Sequence, residues 1–309
     1  ETQVRREFLD PFFEALGWDV NNRQGYAEAY KDVVHEDAIR IAGKHKAPDY
    51  SFRIGGTRKF FVEAKKPAVD LGRDPQPALQ VRRYAWSAKL PLSILTDFEE
   101  LAVYDCRIQP EPGDRAAAAR TMLVPFTEYP SRWSELYGRF SRDAVLRGSF
   151  DAYTDSAAKK RGTAEVDAVF LKDLQAWREE LARNIALRNK GITPRELNFA
   201  VQQILDRLVF LRICEDRLIE EYGRLRTAVA GKGAYAQLMR LFSIAEDRYN
   251  SGLFHFKAEK GRTSQVDAVT PGLTIDDKVL RDIVRHLYYP DSPYEFSVVS
   301  SDILGQVYE

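Results

Sequence analysis

A chain of 309 residues, 44% hydrophobic and 30% charged, can bury a real core and is long enough for about two domains. No run approaches the ~20 consecutive apolar residues that cross a bilayer, and the charged N-terminus lacks a signal-peptide pattern, so a cytoplasmic location is the expectation. Its 46 basic and 46 acidic side chains cancel, which excludes a protein that grips nucleic acid by bulk positive field alone.

In chain order, Val4, Phe8, Leu9, Phe12, Phe13 and Leu16 fall at helical spacing and stop at Gly17, which predicts a first helix with a kink at Pro11. After a polar stretch, short runs of β-formers cover residues 38–41, 50–54 and 59–64. Gly55-Gly56 separates the last two runs, which is the turn chemistry of a hairpin. A Pro-rich loop leads to a helix over residues 78–88, and two more strands are expected at 92–96 and 101–104. Basic residues between Lys44 and Arg83, among them Lys46, Arg53, Arg58, Lys59, Lys65, Lys66, Arg73 and Arg82, meet few acids in sequence and read as a local basic patch. This first region predicts a mixed α/β domain built on a central sheet and ending near residue 150.

The small, polar residues 149–163 read as a linker. Helical periodicity follows. Leu171, Leu174, Leu181 and Ile185 form one stripe, and Leu197, Val201, Ile204, Leu205, Leu208, Val209 and Leu211 form another, with Pro194 near its start. Further helices are expected over 234–245 and 276–287, with a loop region over 252–272, so residues 151–309 read as an all-α domain. Cys106 and Cys214 have neither CxxC nor Cys/His spacing and are expected to be buried free thiols. The chain opens on Glu1 rather than Met and stops within an apolar-periodic segment, which points to an excised fragment.

The chemistry centres on the hairpin. Pro48-Asp49 opens one arm and Glu63-Ala64-Lys65 closes the other, with thirteen residues between Asp49 and Glu63. Alternate residues of a strand share a face, so Glu63 and Lys65 project together while Ala64 turns into the packing. Pairing of the arms then carries Asp49 alongside them. Two carboxylates held close repel each other, and a hard divalent cation such as Mg2+ relieves that repulsion. A lysine beside them suits nucleophile activation or charge neutralisation at a phosphodiester. A surface hairpin with one salt bridge would carry similar residues; the order of the elements and the apolar lead-in Phe60-Phe61-Val62 favour the catalytic reading.

This set resembles the PD-(D/E)xK nuclease superfamily in motif order and spacing. Gln80 and Tyr84, four apart on one face of the following helix, resemble the QxxxY motif of its RecB-like branch, which contacts DNA beside the metal. In that branch an acid on the first helix often completes the metal environment. Glu1 best matches that place, Glu7 and Glu14 read as solvated helix charges, and none of the three is counted in the site. Phe8-Leu9-Asp10-Pro11, Leu16-Gly17-Trp18-Asp19-Val20, Phe61-Val62-Glu63-Ala64-Lys65-Lys66-Pro67, residues 200–217 and residues 303–309 together resemble the nuclease and helical connector of type IIG restriction-modification enzymes.

The resemblance implies a magnesium-dependent endonuclease acting on double-stranded DNA, with methyltransferase and target-recognition domains elsewhere in the same polypeptide. A transient homodimer would allow double-strand cleavage. No NPPY or Gly-rich cofactor motif occurs here, so S-adenosylmethionine is expected only in the methyltransferase part. In the connector, Asp206, Arg207, Arg212, Glu215, Asp216 and Arg217 read either as interdomain or DNA contacts or as a helix-surface ion network. The alternatives with related chemistry are the nuclease part of a type I restriction subunit or a RecB-like repair nuclease; the non-enzymatic alternative is an inactive DNA-binding scaffold.

Overall fold

The computed structural model describes residues 1–35, 48–156, 166–249, 252–257 and 266–296. The chain divides into two units, one formed by Glu1–Asp167 with the segment that starts at Pro293, the other by Ala168–Ser292.

The first unit opens with α1 (Thr2–Val4), a π-helical turn (Arg5–Leu9) and α2 (Asp10–Ala15). The kink expected at Pro11 is replaced by that π turn, which widens the ladder just before the residue that has no N–H to donate. Leu9, Phe12, Phe13 and Leu16 are buried as the spacing requires, whereas Phe8 is 45% exposed. Gly17 adopts φ +86°, the left-handed conformation that closes a helix.

Six strands follow in spatial order β1 (Val33–Val34), β2 (Tyr50–Ile54), β3 (Thr57–Ala64), β4 (Leu92–Thr96), β5 (Glu100–Asp105) and β6 (Arg120–Pro125). Every neighbouring pair is antiparallel except β3 and β4, whose parallel pairing requires a crossover. That crossover contains α3 (Pro75–Ser87), which is capped by Asp74 accepting from the Gln76 N–H. α4 (Trp133–Phe140), α5 (Arg142–Leu146) and α6 (Ser149–Ser156) complete the unit. The sheet is therefore mixed and flanked by helices, as expected. α6 occupies the start of the segment read as a linker, and the remainder of that linker, the run 38–41 and residues 303–309 lie outside the described residues.

Strand parity sorts the two faces. Phe60, Val62 and Ala64 pack with Phe12, Phe13, Phe52, Ile94 and Val103 in one cluster, while Phe61 packs with Leu95, Tyr104 and the buried residues of α3 in the other. Glu63 shares the parity of Phe61, which sets it on the α3 side.

The β2–β3 hairpin turns through Gly55 and Gly56, at φ +56° and +83°, the positive pair that a two-residue turn of this hand demands. Near the turn Ile54 pairs with Thr57 and Arg53 with Arg58, but beyond a bulge Phe52 pairs with Phe60 and Tyr50 with Val62. Lys59 is the extra residue. Were Lys59 paired with Phe52 instead of bulged, the ladder would run one residue out of step and set Val62 rather than Glu63 opposite Asp49.

The second unit is all-helical among its described residues, with α7 (Val166–Arg188, begun in the first unit), α8 (Pro194–Asp216), α9 (Arg224–Ala230), α10 (Ala234–Tyr249) and α11 (Asp277–Arg285). Thr193 and Glu196 form a reciprocal capping box at the start of α8, where Pro194 occupies the first turn. On α7 the buried stripe is Val166, Phe170, Leu174, Trp177, Leu181 and Ile185; Leu171, expected on it, is 38% exposed because it stands about 100° round the helix from Phe170. No described helix is long and apolar enough to cross a membrane.

The connector ions were expected at a surface or between domains, yet Arg207, Arg212, Glu215 and Asp216 are all buried within this unit. Arg207 donates to Asp267 Oδ2 at 2.7 Å and to the Leu253 carbonyl at 2.8 Å. Cys106 and Cys214 are free and buried, as expected, and burial pushes the Cys106 thiol up to about 12.

Candidate active site

The hairpin register and the parallel neighbour build the site together. One step beyond the Tyr50–Val62 pair, Asp49 reaches across the ladder and its Oδ2 accepts the Ala64 N–H at 2.8 Å. The Lys65 N–H continues the β3–β4 pairing by donating to the Thr96 carbonyl at 2.9 Å. Lys65 and Glu63 project together, and Lys65 Nζ donates to Glu63 Oε1 at 2.6 Å. From α3, Gln80 Nε2 donates to the same Oε1 at 2.8 Å and to the Tyr84 hydroxyl at 3.3 Å. The structure thus brings together all five residues singled out in the sequence: Asp49, Glu63, Lys65, Gln80 and Tyr84.

The carboxylates are deeply set, with Asp49 5% and Glu63 1% exposed. Burial raises both from their ordinary values, and the neighbouring Asp49 charge adds to the effect at Glu63, which is pushed up to about 8. Arg5 and the Ala64 N–H act in the opposite direction on Asp49. Burial also raises the Tyr84 hydroxyl well above its usual value, so it stays protonated while it accepts from Gln80.

Glu63 Oε1 accepts from both Lys65 and Gln80, while Oε2 is buried with no hydrogen-bond partner. A carboxylate oxygen kept dry and unpaired is costly unless something else satisfies it. Among the described residues no three His, Cys, Asp or Glu side chains converge, so a closed zinc-type cage is not offered. Two carboxylates presenting hard oxygens fit Mg2+, which keeps several waters and takes one or two carboxylates together with substrate phosphate.

Two residues not counted from sequence stand against this cluster. Arg5 Nη1 donates to Asp49 Oδ1 at 3.1 Å, and Glu1 Oε1 lies 3.7 Å from Lys65 Nζ. The signal was present, since Glu1 and Arg5 are a helical turn apart and share a face. Glu7 and Glu14 go elsewhere: Glu7 accepts from Gln3, and Glu14 from Asn21 and Arg23. The expected basic patch is dispersed. Arg82 is buried against Asp114, Arg83 reaches the Tyr294 carbonyl and Glu295, and Lys59 pairs with Asp151, acids that are distant in sequence. Lys44 and Lys46 lie outside the described residues.

Fold and site together define a mixed α/β domain with a carboxylate, lysine and glutamine cluster where β3 meets its parallel neighbour. No family model matches the chain. Over 311 aligned residues it is 39% identical to the Type II restriction enzyme and methyltransferase RM.Eco57I of Escherichia coli, a match that takes in 100% of this chain and 30% of that enzyme. The chain is thus related over its whole length to a restriction-modification enzyme, of which it spans 30%. A solved structure of the type IIG restriction endonuclease BpuSI aligns with 98% of this chain and 30% of that one, at 13% identity and a TM-score of 0.24.

Proposed function

We propose that this chain is the magnesium-dependent DNA-cleaving module of a type IIG restriction-modification enzyme, with a PD-(D/E)xK site at Asp49, Glu63 and Lys65. The observation that carries the reading is the pair of buried carboxylates opposed across the hairpin, one of them with an unsatisfied oxygen, beside a lysine on the same strand. Glu246 also leaves a buried oxygen open, and what sets Glu63 apart is the second buried carboxylate of Asp49 and the lysine beside it. The relationship to RM.Eco57I favours restriction-modification over a type I subunit or a repair nuclease.

Asp49 and Glu63 would hold the ion, through Glu63 Oε2 and the Asp49 lone pairs that Arg5 and Ala64 leave open. A bound Mg2+ supplies Lewis acidity toward a phosphodiester oxygen and lowers the pKa of a coordinated water. Lys65 holds its ammonium against Glu63, where it neutralises charge developing at phosphorus and orients the attacking water. Gln80 fixes the Glu63 carboxylate by its donated hydrogen bond, and Tyr84 orients Gln80 in turn, from the helix face that would lie beside the DNA strand. Duplex DNA is the proposed substrate. Methyltransferase and target-recognition domains are the proposed partners, S-adenosylmethionine belongs to the former, and pairing of two copies would cut both strands.

The test is nicking of supercoiled plasmid by the purified chain with magnesium or manganese, and by Asp49→Ala and Lys65→Ala. Each substitution is expected to lower cleavage by on the order of a hundredfold or more. Unchanged cleavage by both variants would overturn the assignment.

A further inference from the structure

We infer that Arg5 is a positioning residue that holds Asp49 in the orientation from which it binds a divalent cation. This rests on the metal-dependent reading above and adds to it a residue outside the nuclease motif. The guanidinium grips Asp49 twice: Nη1 donates to Oδ1 at 3.1 Å, and Nη2 donates to the Asp49 main-chain carbonyl at 3.3 Å. Side chain and backbone of one residue are thereby fixed by one planar group, a geometry that an ammonium cannot reproduce.

The guanidinium is itself held on its other sides. His35 Nε2 lies 3.0 Å from the Val20 carbonyl, which only accepts, so Nε2 carries the hydrogen and Nδ1 presents its lone pair to Arg5 Nη2 at 3.2 Å. Below the plane, the Tyr50 ring centre is 4.8 Å from the guanidinium carbon, and the Tyr50 hydroxyl donates to Asp10 Oδ1 at 2.7 Å. The π turn that begins at Arg5 and the strand that follows Asp49 are therefore joined through one rigid cation whose side chain is only 13% exposed.

Asp49 is pinned without being used up. Its Oδ1 accepts from Arg5 and its Oδ2 from the Ala64 N–H, while a carboxylate has about four acceptor positions, so each oxygen keeps one for a cation. Outer partners that orient a ligand in this way carry roughly 10–100-fold of metal affinity.

The experiment is a manganese titration of the whole chain, followed by calorimetry and by the electron paramagnetic resonance of free ion, with no DNA present. Wild type, Arg5→Ala, Arg5→Lys and Asp49→Asn are compared, and thermal melting is recorded for each. Arg5→Ala is expected to raise the manganese dissociation constant about tenfold or more. Arg5→Lys, which keeps the charge and loses the fork, is expected to show most of that loss with a melting temperature near wild type. Should Arg5→Ala fail to fold, Arg5→Lys decides alone. Wild-type affinity in Arg5→Lys would overturn the inference, since charge without the fork would then suffice. A wild-type protein whose manganese binding survives Asp49→Asn would instead remove the metal site itself, and the inference with it.

Discussion

Both units bury carboxylates, and Asp267 in one and Glu63 in the other are held in opposite ways, although Glu246 of the second unit also carries two donors on Oε1 and a buried Oε2 without a partner. In the second unit Asp267 is saturated: Oδ1 accepts the Val269 and Thr270 N–H groups, and Oδ2 accepts Arg207 and the Thr270 hydroxyl. Glu215 is similarly provided for, with Oε1 on the Leu225 N–H and Oε2 on the Gly223 N–H and the Tyr288 hydroxyl. In the first unit Glu63 crowds two donors onto one oxygen and leaves the other bare. A saturated buried carboxylate locks a fold, whereas an unsaturated one is a cost to the fold that a bound cation can offset.

The largest effect expected from this contrast is on cleavage. Glu63→Gln preserves shape but removes the charge, and plasmid nicking should drop on the order of a hundredfold or more while the melting temperature at pH 8 holds or rises. A clear loss of stability in this variant would make Glu63 a structural ion like Asp267. The converse substitution, Asp267→Ala, leaves Arg207 buried without its carboxylate and should cost about 3–5 kcal/mol in denaturant unfolding. Its manganese affinity should be unchanged in protein that remains folded. A loss of metal binding there would break the separation between the two kinds of ion.

pH provides a finer test. Because Glu63 in the folded chain is raised from 4.5 to about 8, the folded state holds its proton more tightly than the unfolded state does. The associated stabilisation is fully present below about pH 4.5 and is lost as pH rises through about 8. Metal-free protein should therefore melt at progressively lower temperature across that window, with Glu63→Gln flatter than wild type. Magnesium affinity should rise over the same window, because the ion requires the ionised carboxylate. The smallest effects belong to α3: Gln80→Ala removes the donor to Glu63, and Tyr84→Phe removes the hydroxyl that accepts from Gln80, each a change of about 1 kcal/mol. Measured on DNA binding or cleavage, that is a loss of several-fold.

The sequence by itself determined the hairpin, because Gly55-Gly56 between two runs of β-formers leaves few other turns, and it determined the crossover helix and the long helices through their apolar periods. It also placed Asp49, Glu63, Lys65, Gln80 and Tyr84 in order, since strand parity and a four-residue helical step depend only on local geometry. β1 was hidden because two residues show no period, and Leu171 was misplaced because a stripe read without its packing partner can be rotated by one residue. What only the tertiary structure decided is which charges meet. The Lys59 bulge sets Glu63 rather than Val62 opposite Asp49. Arg5 reaches Asp49 from 44 residues away, and Arg207 finds Asp267 across 60. Such pairings depend on packing between distant segments, for which a linear sequence carries no spacing rule.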